Sequence, residues 1–420
     1  MQAETKSVIE FEGIAKAKNI LSPIINETPL QYNANLSEKY GANVFLKRED
    51  LQTVRSYKIR GAYNKINSLT SEEKKRGIVA ASAGNHAQGV ALSCSALGIK
   101  GQIYMPNTTT AQKVNKVRSF GKSFVEVVLT GDTFDDAYAE ATRVCEENEK
   151  QFIHPFEDVK VIEGQGTIGL EIIEQSEQPI DYLILPVGGG GLSSGVGTVF
   201  SVLSPETKII GAEPKGAPAM HTSLLNNENT TLDHIDGFVD GAAVKKVGNL
   251  NYEICKDIFT RVELVDEGKV CTTVLQLYNE EGIIVEPAGA LATACLEQIK
   301  DEIAGKSVVV VVSGGNNDIV RMAEIKERSL LYEGLKQYFI INFPQRAGAL
   351  REFLNKVLGP EDDICFFEYA KKTNRENGPA VIGIELKSKD DFKSLIGRLE
   401  EFKFDYQLLN DDQKLFGMLI

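Results

Sequence analysis

The sequence predicts an α/β protein, its sheet mostly parallel and covered on both faces, followed by a smaller α+β unit of ferredoxin-like order. Three observations carry this. Short, continuously apolar, β-branched runs alternate with longer stretches of helical spacing through the first two thirds of the chain, the pattern of strands buried on both faces. Near residue 330 the order becomes strand, helix, strand, strand, helix, strand. The 420 residues exceed what one core serves at roughly 100 to 200 residues per domain, and the composition shift divides them into 1–330 and 331–420.

In chain order, residues 8–20 read as a helix and NVFLK (43–47) as a short apolar stretch. Candidate strands follow at GIVAA (77–81), GQIYM (101–105), FVEVVL (124–129), DYLILPV (181–187), KIIGAE (208–213) and SVVVVVS (307–313). Between them, helical spacing covers 85–97, 109–120, 133–149, 164–176 and 191–203. A helical connection, NNDIVRMAEIKERSLLYEGL, leads into the last part. There KQYFIINF (336–343), ICFFEYA (364–370), AVIGIEL (380–386) and KFDYQLL (403–409) read as strands, with helices at 347–357 and 389–401.

A net charge of -13 repels polyanions, so nucleic acid and anionic membrane surfaces are not expected partners. The stretch MQAETKSVIEFEG lacks a basic start and an apolar middle, and VVVVV at 308–312 is far too short to span a bilayer. A cytoplasmic location is expected. Six cysteines (Cys94, Cys145, Cys255, Cys271, Cys295, Cys365) without a CxxC pair suggest reduced, packed thiols. The four histidines lie too far apart in sequence for a local metal motif, and no metal is expected.

In an open α/β sheet, ligands sit beyond the carboxyl ends of the strands. In SYKIRGAYN, Ser56 suits a helix cap, which puts Lys58 in the first turn, where the positive end of the helix dipole eases loss of its proton. A neutral lysine amine forms imines with carbonyls. After GIVAA, the loop Ser82, Ala83, Gly84, Asn85, His86 offers small residues and an amide that suit a carboxylate, or a plain helix cap at Asn85 or Ser82. After DYLILPV, the four glycines Gly188, Gly189, Gly190 and Gly191, then Leu192, open a helix whose amides suit an anion. No register gives GxGxxG and no GxxxxGK[ST] occurs, which leaves a single-phosphate cradle or a structural glycine turn. Ser313 closes SVVVVVS ahead of GGNN, as a partner for a ring nitrogen or as a turn residue.

Together, SYK, SAGNHAQG, GGGGL, EPAGAL (286–291) and SGGNN resemble the threonine dehydratases. These belong to the tryptophan-synthase-like, fold type II, pyridoxal phosphate enzymes. The resemblance implies a catalytic region of two open α/β subdomains over 1–330 and threonine deamination to 2-oxobutanoate and ammonia, the first step towards isoleucine. It implies pyridoxal 5'-phosphate held through an imine on Lys58, with Tyr57, where phenylalanine is more usual, beside the ring. Asn85 would meet the ring's 3-hydroxyl, Gly188 to Leu192 the phosphate and Ser313 the pyridine nitrogen. Ser82 to His86 would hold the substrate carboxylate, and Lys58 would act as the base. Related racemases carry a second serine at the position of Ala83, so racemisation is expected to be minor. Their metal site is matched at Glu213 and Ala217 but not at Ala219, so no divalent metal is expected there.

FPQRAGALREFL is similar to the start of the ACT-like regulatory domain of the short biosynthetic form, with Ala347 in place of the usual proline. That implies inhibition by isoleucine, opposition by valine and a homotetramer, or a unit that serves assembly alone. Alternative readings are a serine dehydratase with the same cofactor contacts, and a non-catalytic amino-acid sensor on a dead enzyme scaffold.

Overall fold

The apolar runs of the first two thirds fold into two separate sheets, as two α/β subdomains require. The computed structural model describes residues 9–369, 376–410, 412 and 414. It divides into one unit that runs to Glu267 and adds Leu277–Asn317, and a second that takes Gly268–Gln276 and the chain from Asp318 onward.

In the first unit the strands are β1 (Leu30–Tyr32), β2 (Asn43–Arg48), β3 (Ile78–Ala81), β4 (Gly101–Met105), β5 (Val125–Leu129), β6 (Gln151–Phe152), β7 (Tyr182–Pro186), β8 (Lys208–Pro214), β9 (Arg261–Val265) and β10 (Ser307–Val312). One sheet has the order β1-β2-β10-β7-β8-β9 and the other β5-β4-β3-β6. Every pairing is parallel except β1 on β2. The valine run of β10 lies between β2 and β7 and is wholly buried, which is why it reads as continuously apolar. Three strands carried no sequence signal of that kind: β1 and β6 have three and two residues, and β9 is a half-buried edge.

Helices Asn85–Leu97 and Gly191–Leu203 start and stop where the spacing predicts. The helix expected from 164 begins at Val159, because the Asp158 carboxylate accepts from the amides of Lys160 and Val161 and starts it a turn earlier. The first helix spans Phe11–Leu21, while the expected start at residue 8 lies outside the described residues.

Helices Lys58–Asn67, Val159–Gln175 and Gly191–Leu203 pack with their backbones nearly touching. A Cβ on Gly164 would stand 2.5 Å from the Arg60 carbonyl oxygen, and one on Gly61 2.8 Å from that of Val161. On the other side of helix Val159–Gln175, a Cβ on Gly166 would come within 2.9 Å of the Gly195 carbonyl oxygen.

A buried charge cluster reinforces this packing. Arg60, with no exposed surface, is bidentate to Glu49 (both 2.8 Å) and to Glu171 (2.6 and 2.9 Å), and Lys47 Nζ reaches Glu171 at 2.6 Å. Two cations face two carboxylates, and Thr28 and Thr167 supply further hydrogen bonds. The cluster joins β2 and the residues after it to helices Lys58–Asn67 and Val159–Gln175.

In the second unit β11 (Lys336–Pro344), β12 (Asp363–Tyr369), β13 (Asn377–Glu385) and β14 (Asp405–Leu408) form an antiparallel sheet of order β12-β13-β11-β14. Helices Ala349–Lys356 and Asp391–Glu401 complete the ferredoxin-like order, around a core that includes Phe339, Ile341, Phe353, Ile382 and Leu395. Ala370, at the end of one expected strand, lies outside the described residues. Among the described residues no helix is long and apolar enough to cross a membrane.

Removing one member of a buried charge cluster strands its partners. Arg60→Met leaves Glu49 and Glu171 facing each other with only Lys47 nearby, and should cost about 3–5 kcal/mol. Denaturant unfolding followed on the first unit checks this; an unchanged midpoint would count against the cluster as a main tie.

Candidate functional site

Lys58 is the first residue of helix Lys58–Asn67, and Tyr57, already helical at φ -64 and ψ -16, takes the cap position without a side-chain cap. The expected Ser56 cap does not form. Ser56 forms an antiparallel bridge with Gly314 instead, and the Tyr57 amide donates to the Ser313 carbonyl at 3.2 Å. The Ser56 hydroxyl is buried without a partner. SYK is thus laid against the end of β10, which sets the lysine at the carboxyl edge of the six-stranded sheet.

Lys58 Nζ donates to the Pro155 carbonyl at 3.0 Å and lies 5.2 Å from the centroid of the Tyr57 ring. Its pKa falls to about 8, and the cause is burial, which penalises the ammonium; Glu286 acts in the opposite direction. The dipole argument therefore reached the right direction, but desolvation is the dominant cause.

Asn85 opens helix Asn85–Leu97 with Gly84 as its cap residue, so neither Asn85 nor Ser82 caps it. Ser82 Oγ accepts from the Gly84 amide at 3.2 Å. Asn85 Nδ2 donates to Glu286 Oε1 at 2.5 Å, and its Oδ1 accepts from Asn316 Nδ2 at 2.7 Å. His86 is turned away: Nε2 sits 2.8 Å from the Ile153 carbonyl, and burial, aided by Lys58, pushes its pKa down to about 3. A neutral, occupied ring offers no cation to a carboxylate. Ser82, Ala83 and Gly84, all half-buried, leave the backbone amides and the Ser82 hydroxyl for that role.

Ser313 is buried and donates from Oγ to the Ala288 carbonyl at 3.1 Å. To donate to a ring nitrogen it would turn away from that carbonyl. The EPAG and SGG segments are tied by the Glu286 amide, which donates to the Gly314 carbonyl at 3.3 Å.

At the glycine run, Gly190 takes φ +87, a left-handed conformation that favours glycine, and helix Gly191–Leu203 begins after it with no side-chain cap. Phe156 fills the space that side chains on Gly189 and Gly191 would need. Asn251 Nδ2 donates to the carbonyls of Phe156 (3.2 Å) and Gly189 (2.6 Å). Adjacent residues therefore hold the two halves together: Pro155 receives the amine and Phe156 presses on the glycine loop. His154 shapes this turn by accepting at Nδ1 from the amides of Phe156 (3.3 Å) and Glu157 (2.8 Å).

The residues present fit pyridoxal phosphate. The first turn of helix Gly191–Leu203 has uncapped amides, and the buried Ser193 hydroxyl in that turn has no partner, donors that suit phosphate oxygens. Lys58 supplies an amine of low basicity. Glu213, which matches one position of the racemase metal site that Ala219 leaves incomplete, has its carboxylate engaged by the amides of Met220 (2.8 Å) and His221 (2.9 Å).

Sequence reasoning missed Phe156 and Asn251 as site residues, and gave Glu286 and Asn316 no role beyond their places in EPAGAL and SGGNN. Glu286 is buried, and burial foremost, with Asp240, raises its pKa to about 7. Its one local signal is an acid directly before the proline that starts helix Pro287–Ala294.

Because the pKa of Lys58 is lowered, its reactive neutral form is present above about pH 8 and is lost as pH falls through that value. Imine formation between the apo-protein and pyridoxal phosphate, trapped with borohydride and corrected against a free-amine control, should show a midpoint near pH 8. A midpoint near the ordinary 10.5 would contradict the burial argument.

Residues 21–314 match the pyridoxal-phosphate dependent enzyme family, and residues 327–419 match the C-terminal regulatory domain of threonine dehydratase. A biosynthetic L-threonine dehydratase of Halalkalibacterium halodurans is 56% identical over 412 residues, 98% of this chain and 99% of that protein. That of Bacillus subtilis is 55% identical over 414 residues, 99% of this chain and 98% of that protein. Among solved structures, the processed form of threonine deaminase isoform 2 from Solanum lycopersicum is 38% identical, covers 76% of this chain and 88% of its own, and superposes with a TM-score of 0.73. A lysine of lowered basicity at the sheet edge, an uncapped glycine-led helix beside it and a full-length match in both units give one result: the chain belongs to the biosynthetic threonine dehydratases, within the pyridoxal-phosphate dependent enzymes.

Proposed function

We propose that this chain converts L-threonine to 2-oxobutanoate and ammonia, with Lys58 Nζ as both the amine that carries pyridoxal phosphate and the base that moves the α-proton. The observation that carries this reading is the Lys58 amine, half-buried, of lowered basicity and donating to a backbone carbonyl. When bound, the cofactor supplies the electron sink that makes the α-proton acidic and the β-hydroxyl able to leave.

The remaining work is done by the chain. The amides that follow Gly190 and the Ser193 hydroxyl would hold the phosphate, with Tyr57 and the residues around Asn85 beside the ring. Asn85 Nδ2 would meet the 3-oxygen of the ring, Ser313 would meet the pyridine nitrogen, and the backbone of Ser82 to His86 would orient the substrate carboxylate. A neutral serine at the pyridine nitrogen leaves that atom without a proton, which moderates the sink and favours elimination over racemisation. L-Serine would be accepted by the same contacts.

We assign catalysis to the chain up to about residue 330 and regulation to residues 331–420, in a cytoplasmic homotetramer. Isoleucine, as inhibitor, binds the less active state of the regulatory unit more tightly and valine opposes it, since an effector shifts an equilibrium only by its differential affinity.

Lys58→Ala should lower threonine turnover by at least about a thousandfold, in line with loss of a covalent-catalysis residue, and should lose the visible band of the bound cofactor. Production of 2-oxobutanoate at a near-native rate would refute the role. Isoleucine should move the midpoint of the threonine saturation curve to higher concentration and valine should move it back. Superimposable curves with and without isoleucine would leave the second unit as an assembly module.

A further inference from the structure

The hydrogen bonds at Asn85 have a direction that propagates from outside the cofactor site. Lys116, on helix Ala111–Gly121 of the four-stranded subdomain, donates from Nζ to Asn316 Oδ1 at 3.0 Å. An ammonium can only donate, so this contact fixes which end of the Asn316 amide faces the lysine. The opposite end is fixed independently: Asn316 Nδ2 donates to the Val54 carbonyl, which can only accept, at 2.8 Å. Its second N–H donates to Asn85 Oδ1 at 2.7 Å. Asn85 then has its oxygen occupied and points Nδ2 at Glu286 Oε1.

We propose that Lys116 and Asn316 are positioning residues that fix Asn85 as a hydrogen-bond donor toward the cofactor's ring oxygen. This rests on Asn85 facing that oxygen, as proposed above. One Nδ2 hydrogen of Asn85 is used by Glu286 and the other is left for a ligand, so the site selects an acceptor, such as a deprotonated ring hydroxyl, over a donor. Without the relay the Asn85 amide could turn over, and its carbonyl would face Glu286 and the ring oxygen.

Two features show that this contact is built into the fold. Lys113, one turn earlier on the same helix, meets Asp240 at 3.2 Å, so the helix is tied twice to loops of the six-stranded sheet. Gly314 leaves the space for Glu286 and Asn85 to meet: a Cβ there would run into Glu286 Oε1 and stand 3.2 Å from Asn85 Nδ2.

The test titrates apo-protein with pyridoxal phosphate and reads the visible band. Lys116→Met should weaken binding by about 3- to 10-fold, the usual reach of one hydrogen bond, and displace the band. Lys116→Arg, which also can only donate, should restore both. Asn316→Asp is nearly isosteric but has no N–H to give; it should reproduce the loss, and it serves where Lys116→Met does not fold. Native affinity and band position in Lys116→Met, or in Asn316→Asp where Lys116→Met does not fold, would overturn the proposal. So would equal losses in Lys116→Met and Lys116→Arg, since packing and not donor direction would then matter. If the unsubstituted protein formed no band at all, the fault would lie with Lys58 as cofactor lysine.

Discussion

The structure depends on a set of charges that never reach water. Arg60, Lys47, Glu49 and Glu171 balance one another inside the first unit. Such a cluster tolerates little displacement, because any separation leaves an ion without its partner in a medium that solvates it poorly. Arg60 stands two residues after Lys58 on the same helix, so the cluster also holds the lysine in place. The helix can carry a reactive amine at its start because its first turn is also fixed, through Arg60, by ionic contacts that do not involve that amine.

The chemistry of Lys58 follows from what surrounds it. Unlike the cluster, Lys58 is only half-buried; no carboxylate is bonded to it, and its hydrogen-bond partner is the neutral Pro155 carbonyl. Burial with an ionic partner raises Arg60 above its ordinary range, whereas burial with little compensation lowers Lys58. Two cations on one helix thus serve opposite ends, one permanently charged and structural, the other able to shed its proton.

Much of this was readable from the sequence, and the failures have identifiable causes. The starts of helices Asn85–Leu97 and Gly191–Leu203 were legible because small and glycine residues punctuate the strand ends before them. The Ser56 cap was misread because a local rule was overridden by pairing with Gly314, which lies far along the chain. Glu286 had no legible partner, since Asn85 is 201 residues away in sequence and only the fold brings the two together. Phe156 could not be found at all, because a phenylalanine that fills the space above glycines looks like any core residue. Strands β1 and β6 are too short to show a period.

The close approach of Lys58–Asn67, Val159–Gln175 and Gly191–Leu203 has one more consequence. Where helices approach main chain to main chain, their spacing is set largely by bond lengths and atomic radii, which leaves little room for side chains to swell, shrink or repack. Lys58 and the glycine-led helix are therefore mounted on a common caliper whose jaws are set at nearly the width of bare polypeptide. Drift elsewhere in the sequence can change the pocket's lining, but the gauge of the cofactor itself stays locked for as long as those glycines remain.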